Sequence, residues 1–187
     1  MRDDRGFSLV EILAVVAVIG VIAAVATPLW RDTVDGMRLG SSTRELERQL
    51  QDARLKAVAT NRKMRVRPNC PVTGQYRMVQ VFGTTTAVDS RDVNVSRCDE
   101  SLYPYDASNQ NPVTKLQDGP VRRLYEGVTV TPETGVSAVE FWSDGRAFKV
   151  DSGGVRAAIA TPITITLTRG SNTKRITVNG LGKIQIP

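Results

Sequence analysis

At 187 residues, with 25 Lys/Arg against 19 Asp/Glu, the chain is basic, with a formal charge of +6, no histidine and two cysteines. That inventory excludes Ser-His-Asp and Cys-His nucleophilic catalysis, and two cysteines alone do not complete a four-ligand zinc site. No Gly-rich phosphate loop is present: Gly153-Gly154 is a lone pair of turn residues, and Asp99-Glu100 reads as solvated loop. No enzyme activity, metal or cofactor is expected. The charge is uneven: residues 31–67 carry ten Lys/Arg against five Asp/Glu, 68–151 eight against eleven, and 152–187 five against none.

The chain opens with Gly6-Phe7-Ser8-Leu9-Val10-Glu11, followed by a charge-free apolar run of 19 residues from Ile12 to Trp30. As a helix this run spans about 28 Å, near the ~30 Å hydrocarbon core of a bilayer. An unpaired charge within such a helix costs at least ~2.5–3.5 kcal/mol, so Glu11 needs a partner. An α-amine freed by cleavage after Gly6 would lie one helical turn upstream. A plain signal anchor with Glu11 snorkelling to the interface is the alternative. A cleaved secretory signal fits poorly, because the leader is only six residues long and Ala24-Val25-Ala26 precedes Thr27-Pro28. Gly20 and Pro28 each weaken a helix interior.

Beyond residue 30 the helix is expected to continue, with a break at Gly40 and a restart capped by Ser42 or Thr43 with Glu45. Leu39, Leu46, Leu50, Ala53 and Ala57 draw one apolar stripe, leaving Arg44, Glu47, Arg48, Gln51 and Asp52 on solvated faces. Strands are expected at Lys63–Arg67 and Tyr76–Phe82, and residues 84–120 form a polar, irregular excursion. Ala138–Ser143 and Arg146–Asp151 flank Asp144-Gly145, the signature of a two-residue type I′ hairpin that sets Phe148 and Val150 against Val139 and Phe141. Ile163, Ile165 and Leu167 alternate with threonines, Gly170-Ser171-Asn172 turns the chain, and Ile176 and Val178 resume the alternation before Lys183–Ile186. Cys70 and Cys98 form an even pair, expected to be bridged if the domain is exported, two separate thiols being the alternative.

The Gly6-Phe7 junction with Glu11 resembles the class III signal of type IV pilins and type II secretion pseudopilins. Three further groups narrow the resemblance to the minor pilin and pseudopilin H group, GspH/FimT-like: Leu50, Ala53, Arg54 and Ala57; then Phe141, Asp144, Gly145 and Arg146; then Arg175, Ile176, Val178, Gly182 and Lys183. The resemblance implies an α+β, type IV pilin-like fold, with a long N-terminal α-helix packed on small antiparallel β-sheets. It implies a leader at 1–6, a transmembrane and filament-core helix at 7–30, its amphipathic continuation at 31–60, and a periplasmic β-rich domain at 61–187. A prepilin peptidase would cleave after Gly6 and N-methylate Phe7, and Glu11 would serve assembly. The implied role is a bacterial inner-membrane subunit that primes or caps a type IV pilus or type II secretion pseudopilus. Its partners would be other pilins or pseudopilins and the inner-membrane assembly platform.

The alternative is a DNA-binding minor pilin acting in DNA uptake. Lys63, Arg65 and Arg67 fall on one face of the first strand, with Met64 and Val66 inward, and Arg175 and Lys183 add charge near the C-terminus. DNA-binding relatives carry Gly-Arg-x-Arg near that end, whereas this chain has Gly182-Lys183-Ile184-Gln185, one cation in place of two. A solvated strand face is the competing reading, and binding through such cations would be strongly salt-dependent. Tyr103, Tyr105 and Tyr125 near the acidic middle suit either loop packing or a partner contact.

Overall fold

The computed structural model describes residues 8–84, 87–105 and 117–187, and of residues 25–29 the backbone alone. The chain divides into two units, Met1–Met37 and Arg38–Pro187. A single helix, α1, is assigned over Leu9–Thr60, so neither Gly20, Pro28 nor Gly40 interrupts it. Within the first unit, Leu9, Val10, Ile12, Leu13 and the following large apolar side chains to Ile22 are exposed. Among the described residues no helix is long and apolar enough to cross a membrane. The expected span 7–30 includes residue 7 and the side chains of 25–29, which lie outside the described residues.

In the second unit the helical stripe is the core: Leu39, Leu46, Leu50, Ala53 and Ala57 are all fully buried. Each such leucine contributes ~1.5–3 kcal/mol of burial, more than the ~1 kcal/mol that Gly40 costs a helix interior, so the expected break does not form. The expected cap is corrected accordingly. The Thr43 hydroxyl donates to the Leu39 carbonyl one turn back, at 2.7 Å, and the Ser42 hydroxyl accepts from the Tyr125 N–H at 3.2 Å.

The strands after α1 are β1 Lys63–Pro68, β2 Gln75–Val81, β3 Val121–Arg123, β4 Thr129–Pro132, β5 Ala138–Phe141, β6 Ala147–Val150, β7 Arg156–Ala158, β8 Ile163–Arg169, β9 Asn172–Val178 and β10 Ile184–Gln185. A short helix α2, Ser90–Val93, and a 3₁₀ turn, Val95–Cys98, lie in the described part of the excursion. One antiparallel sheet has the order β3-β2-β1-β5-β6-β7, the other β10-β9-β8-β4. The inward alternation of β8 and β9 is as expected, with Ile163, Ile165, Leu167, Ile176 and Val178 buried. This is a long helix packed on antiparallel sheets, an α+β fold.

The β5–β6 hairpin corrects its expected turn. A type I′ turn needs positive φ at both central residues, and here Gly145 (φ 80°) has it and Asp144 does not. The Gly145 N–H donates to the Trp142 carbonyl at 2.9 Å and the Trp142 N–H to the Arg146 carbonyl at 3.0 Å, closing a three-residue loop, 143–145. The extra loop residue shifts the register by one. Phe141 therefore lies across from Ala147, and Phe148 across from Glu140, on the opposite face from that expected.

Candidate functional site

Of the processing and assembly residues, Gly6 and Phe7 lie outside the described residues, and Glu11 is exposed in the first turn of α1. Ser8 precedes the helix. Its hydroxyl accepts from the Val10 N–H at 3.3 Å, and its carbonyl accepts from the N–H groups of Glu11 and Ile12 at 3.1 and 3.2 Å. Ser8-Leu9-Val10-Glu11 has the Ser-x-x-Glu spacing of a capping box, which the sequence reading passed over. A carboxylate here also complements the positive end of the helix dipole, by ~0.3–1 kcal/mol at an exposed site.

Of the five candidate DNA-binding cations, Lys63, Arg65 and Arg67 lie on β1, and Arg175 and Lys183 in the C-terminal part of the chain. Lys63 Nζ donates to the Gly83 carbonyl at 2.7 Å and lies 4.9 Å from the Trp142 ring centroid; Arg67 Nη1 donates to the Asn94 carbonyl at 2.9 Å. Burial lowers the Arg67 pKa, with Arg65 and Arg97 repelling it further. Arg65 is buried, so the expected solvated face of β1 is in fact covered by the excursion. Arg175 and Lys183 are exposed, Arg175 opposite Thr166 in the other sheet and Lys183 beyond β9.

Under the excursion lies a cluster of charges that sequence reasoning missed. Glu140, fully buried, accepts from Arg65 Nη2 at 2.8 Å, Arg156 Nε at 2.8 Å and Trp142 Nε1 at 2.9 Å. Asp92, also fully buried, accepts the backbone N–H groups of Phe82 and Gly83 at 2.9 and 2.8 Å and pairs with Arg156 Nη2 at 3.0 Å. Asp118 takes two bonds from Arg97, the Nε one at 3.1 Å, and accepts the Gln80 N–H at 2.8 Å. Arg77 donates to three carbonyls, those of Gly119, Arg97 and Tyr103, at 2.8, 2.6 and 2.6 Å. Burial pulls its pKa down, opposed by Asp118 and Glu100. The cluster welds the excursion to the sheet. Alternation in β1 and β5 separates two faces but cannot say which one water reaches, so nothing in the sequence marked it.

Cys70, just after β1, and Cys98, at the end of the 3₁₀ turn, are joined through their sulfurs with Cα atoms 5.1 Å apart. The remaining motif residues form a latch. Arg54 Nε donates to the Gly145 carbonyl at 3.0 Å and Nη2 to the Leu181 carbonyl at 3.3 Å, tying α1 to the β5–β6 loop and to the turn before β10. Gly182, at φ +76°, has no room for a side chain: a Cβ would meet the Gly145 carbonyl oxygen at 2.2 Å and Arg54 Nε at 2.7 Å. Gly182→Ala is expected to destabilise the domain by ~1–3 kcal/mol through strain at a left-handed position. A thermal melt within a degree of wild type would contradict that.

Residues 1–27 match the Prokaryotic N-terminal methylation motif, and residues 42–182 match the family described as Type II transport protein GspH. A fimbrial protein of Dichelobacter nodosus is 26% identical over 123 residues, 62% of this chain and 76% of that one. Among solved structures, the minor pseudopilin EpsH from the Type 2 Secretion System of Vibrio cholerae aligns at 14% identity and TM-score 0.47, over 80% of this chain and 96% of that chain. The type IV minor pilin FimU of Pseudomonas aeruginosa aligns at 13% identity and TM-score 0.48, over 80% and 87%. Because the GspH match runs from the amphipathic half of α1 to the Gly182 latch, this chain belongs to the GspH family of type II transport proteins.

Proposed function

We propose that the chain is a subunit that primes or caps assembly of a type IV pilus or type II secretion pseudopilus. Its family is one of structural pilin and pseudopilin subunits, not of enzymes. The observation that carries the reading is the Gly6-Phe7 junction with Glu11, within the methylation motif matched over residues 1–27, at the head of the apolar run to Trp30. In this reading a prepilin peptidase cleaves after Gly6 and methylates Phe7. Residues 7–30 anchor the chain in the inner membrane, with residues 61–187 periplasmic, until the assembly platform draws it among other pilins.

Glu11 then acts as a registry charge. In an apolar filament core its carboxylate must meet an α-amine, its own or a neighbour's, and losing one partner of such a pair costs ~3–5 kcal/mol. Glu11→Ala is expected to reach the membrane normally while its incorporation into filaments falls by about 100-fold, the equivalent of ~3 kcal/mol. Wild-type incorporation of this variant would refute the registry role. The mass of the N-terminal peptide of membrane-derived protein tests the reading itself: a chain beginning at methylated Phe7 supports it, and an intact Met1 makes the protein a plain signal anchor.

A further inference from the structure

Between α2 and the 3₁₀ turn lies a motif that the filament reading leaves unused. Of the seven asparagines in the chain, Asn94 alone begins an Asn-x-Ser/Thr triplet, Asn94-Val95-Ser96, with no proline in the middle. Such a triplet is the acceptor for N-linked glycan transfer on the surface of exported chains. Transfer requires an amide nitrogen that packing has left accessible, so burial and hydrogen bonding decide whether the triplet can serve.

Asn94 is exposed, and Val95 beside it is 72% exposed. The Asn94 side-chain oxygen accepts from the Ser96 N–H at 2.8 Å, capping the 3₁₀ turn, and its backbone carbonyl accepts from Arg67 Nη1 at 2.9 Å. The fold therefore uses the two oxygens of Asn94. A cap of this kind needs only an acceptor, which Asp or Ser supplies as well as Asn does. The Asn94 amide nitrogen and the Ser96 hydroxyl have no partner among the described residues. These two groups, left over by the packing, are the two that the acceptor triplet requires.

We infer that Asn94 is an N-glycosylation site, modified after export by an oligosaccharyltransferase that uses a glycan linked to a lipid diphosphate. Nδ2 attacks the anomeric carbon of the first sugar. A C–N bond forms, the C–O bond to the diphosphate breaks with its electron pair left on the diphosphate oxygen, and Nδ2 loses one proton. No oxidant or reductant takes part. Transfer precedes docking of the excursion, because the acceptor segment has to enter the cleft of the transferase. In the folded domain Asp92, two residues ahead, is pinned by the N–H groups of Phe82 and Gly83 and by Arg156, and Cys98, four residues on, is linked to Cys70. Once the segment docks, the exposed Asn94 keeps the glycan in solvent, beside Val95. The inference rests on the filament reading only for the export of residues 61–187.

The test uses the full chain isolated from the membranes of the cells that make it. Trypsin cuts after Arg91 and Arg97 and releases Asp92–Arg97, with the whole triplet inside one peptide. The expected peptide is heavier than the bare one by a set of sugar residues, which electron-transfer fragmentation places on Asn94. Asn94→Asp keeps the capping oxygen and Ser96→Ala keeps the capped N–H, so both leave the turn intact, and both are expected to lose the added mass. Ser96→Thr is expected to retain it. A bare peptide from the wild-type protein overturns the inference, as does added mass that survives in Ser96→Ala. The N-terminal peptide of the same sample reads the filament role separately. A bare Asp92–Arg97 on a chain that begins at methylated Phe7 overturns the glycan alone, and a glycosylated Asn94 on a chain with intact Met1 overturns the filament role alone.

Discussion

Glu140→Ala is expected to destabilise the domain by about 3–5 kcal/mol, lowering the urea midpoint by about 2 M at a typical denaturant slope. The carboxylate is fully buried and accepts bonds from Arg65, Arg156 and the Trp142 indole. Without it, two buried guanidinium groups lose their shared anion, and a charge left alone in a protein interior is far more costly than a pair removed together. Against a typical total stability of ~5–15 kcal/mol, the loss is large enough to populate the unfolded chain. The apolar triple replacement Arg65→Met, Glu140→Leu, Arg156→Met is expected to recover part of it, since the pair's worth lies chiefly in its not being broken, while the fully buried Asp92 loses its 3.0 Å partner Arg156. A Glu140→Ala penalty below 1 kcal/mol, or a triple variant no better than the single, would refute this account of the cluster.

The same cluster shows where sequence reasoning stops. The helix stripe was legible because Leu39, Leu46, Leu50, Ala53 and Ala57 repeat at helical spacing, and all five are buried. β8 and β9 were legible because threonines alternate with Ile163, Ile165 and Leu167 on a sheet with one wet face. β1 alternates just as clearly, yet its cationic face is covered, because Asp92 and Asn94 of the excursion lie over Arg65 and Arg67 and leave no periodic trace. The hairpin was legible as a hairpin, but the choice between two and three loop residues turned on the φ of Asp144, a residue type that adopts either sign. Among the motif residues, Arg54, Gly145 and Gly182 were recognisable by resemblance. Their contact, across sequence separations of 91 and 127, was not.

Loss of the Cys70–Cys98 link carries the second large effect. A cross-link over a sequence separation of 28 restricts the unfolded chain by about 3.5 kcal/mol on the chain-entropy estimate, so Cys98→Ser is expected to lose roughly that much. The loss should not be independent of the charge cluster. Cys98 ends the 3₁₀ turn whose preceding residue, Arg97, is fully buried and bonded to Asp118. A covalent and an ionic support thus hold one segment against β2. If the 3₁₀ turn moves away once the link is gone, Arg97 withdraws from Asp118, and Asp118→Asn then has less left to remove. Neighbours that share one structural element couple by ~0.5–3 kcal/mol, whereas independent sites add to within ~0.5 kcal/mol. Denaturant titrations of Cys98→Ser, Asp118→Asn and the double variant are therefore expected to show a double loss smaller than the sum of the singles. Strict additivity would mean that the ion cluster holds the excursion by itself, and that the disulfide acts on the unfolded chain alone.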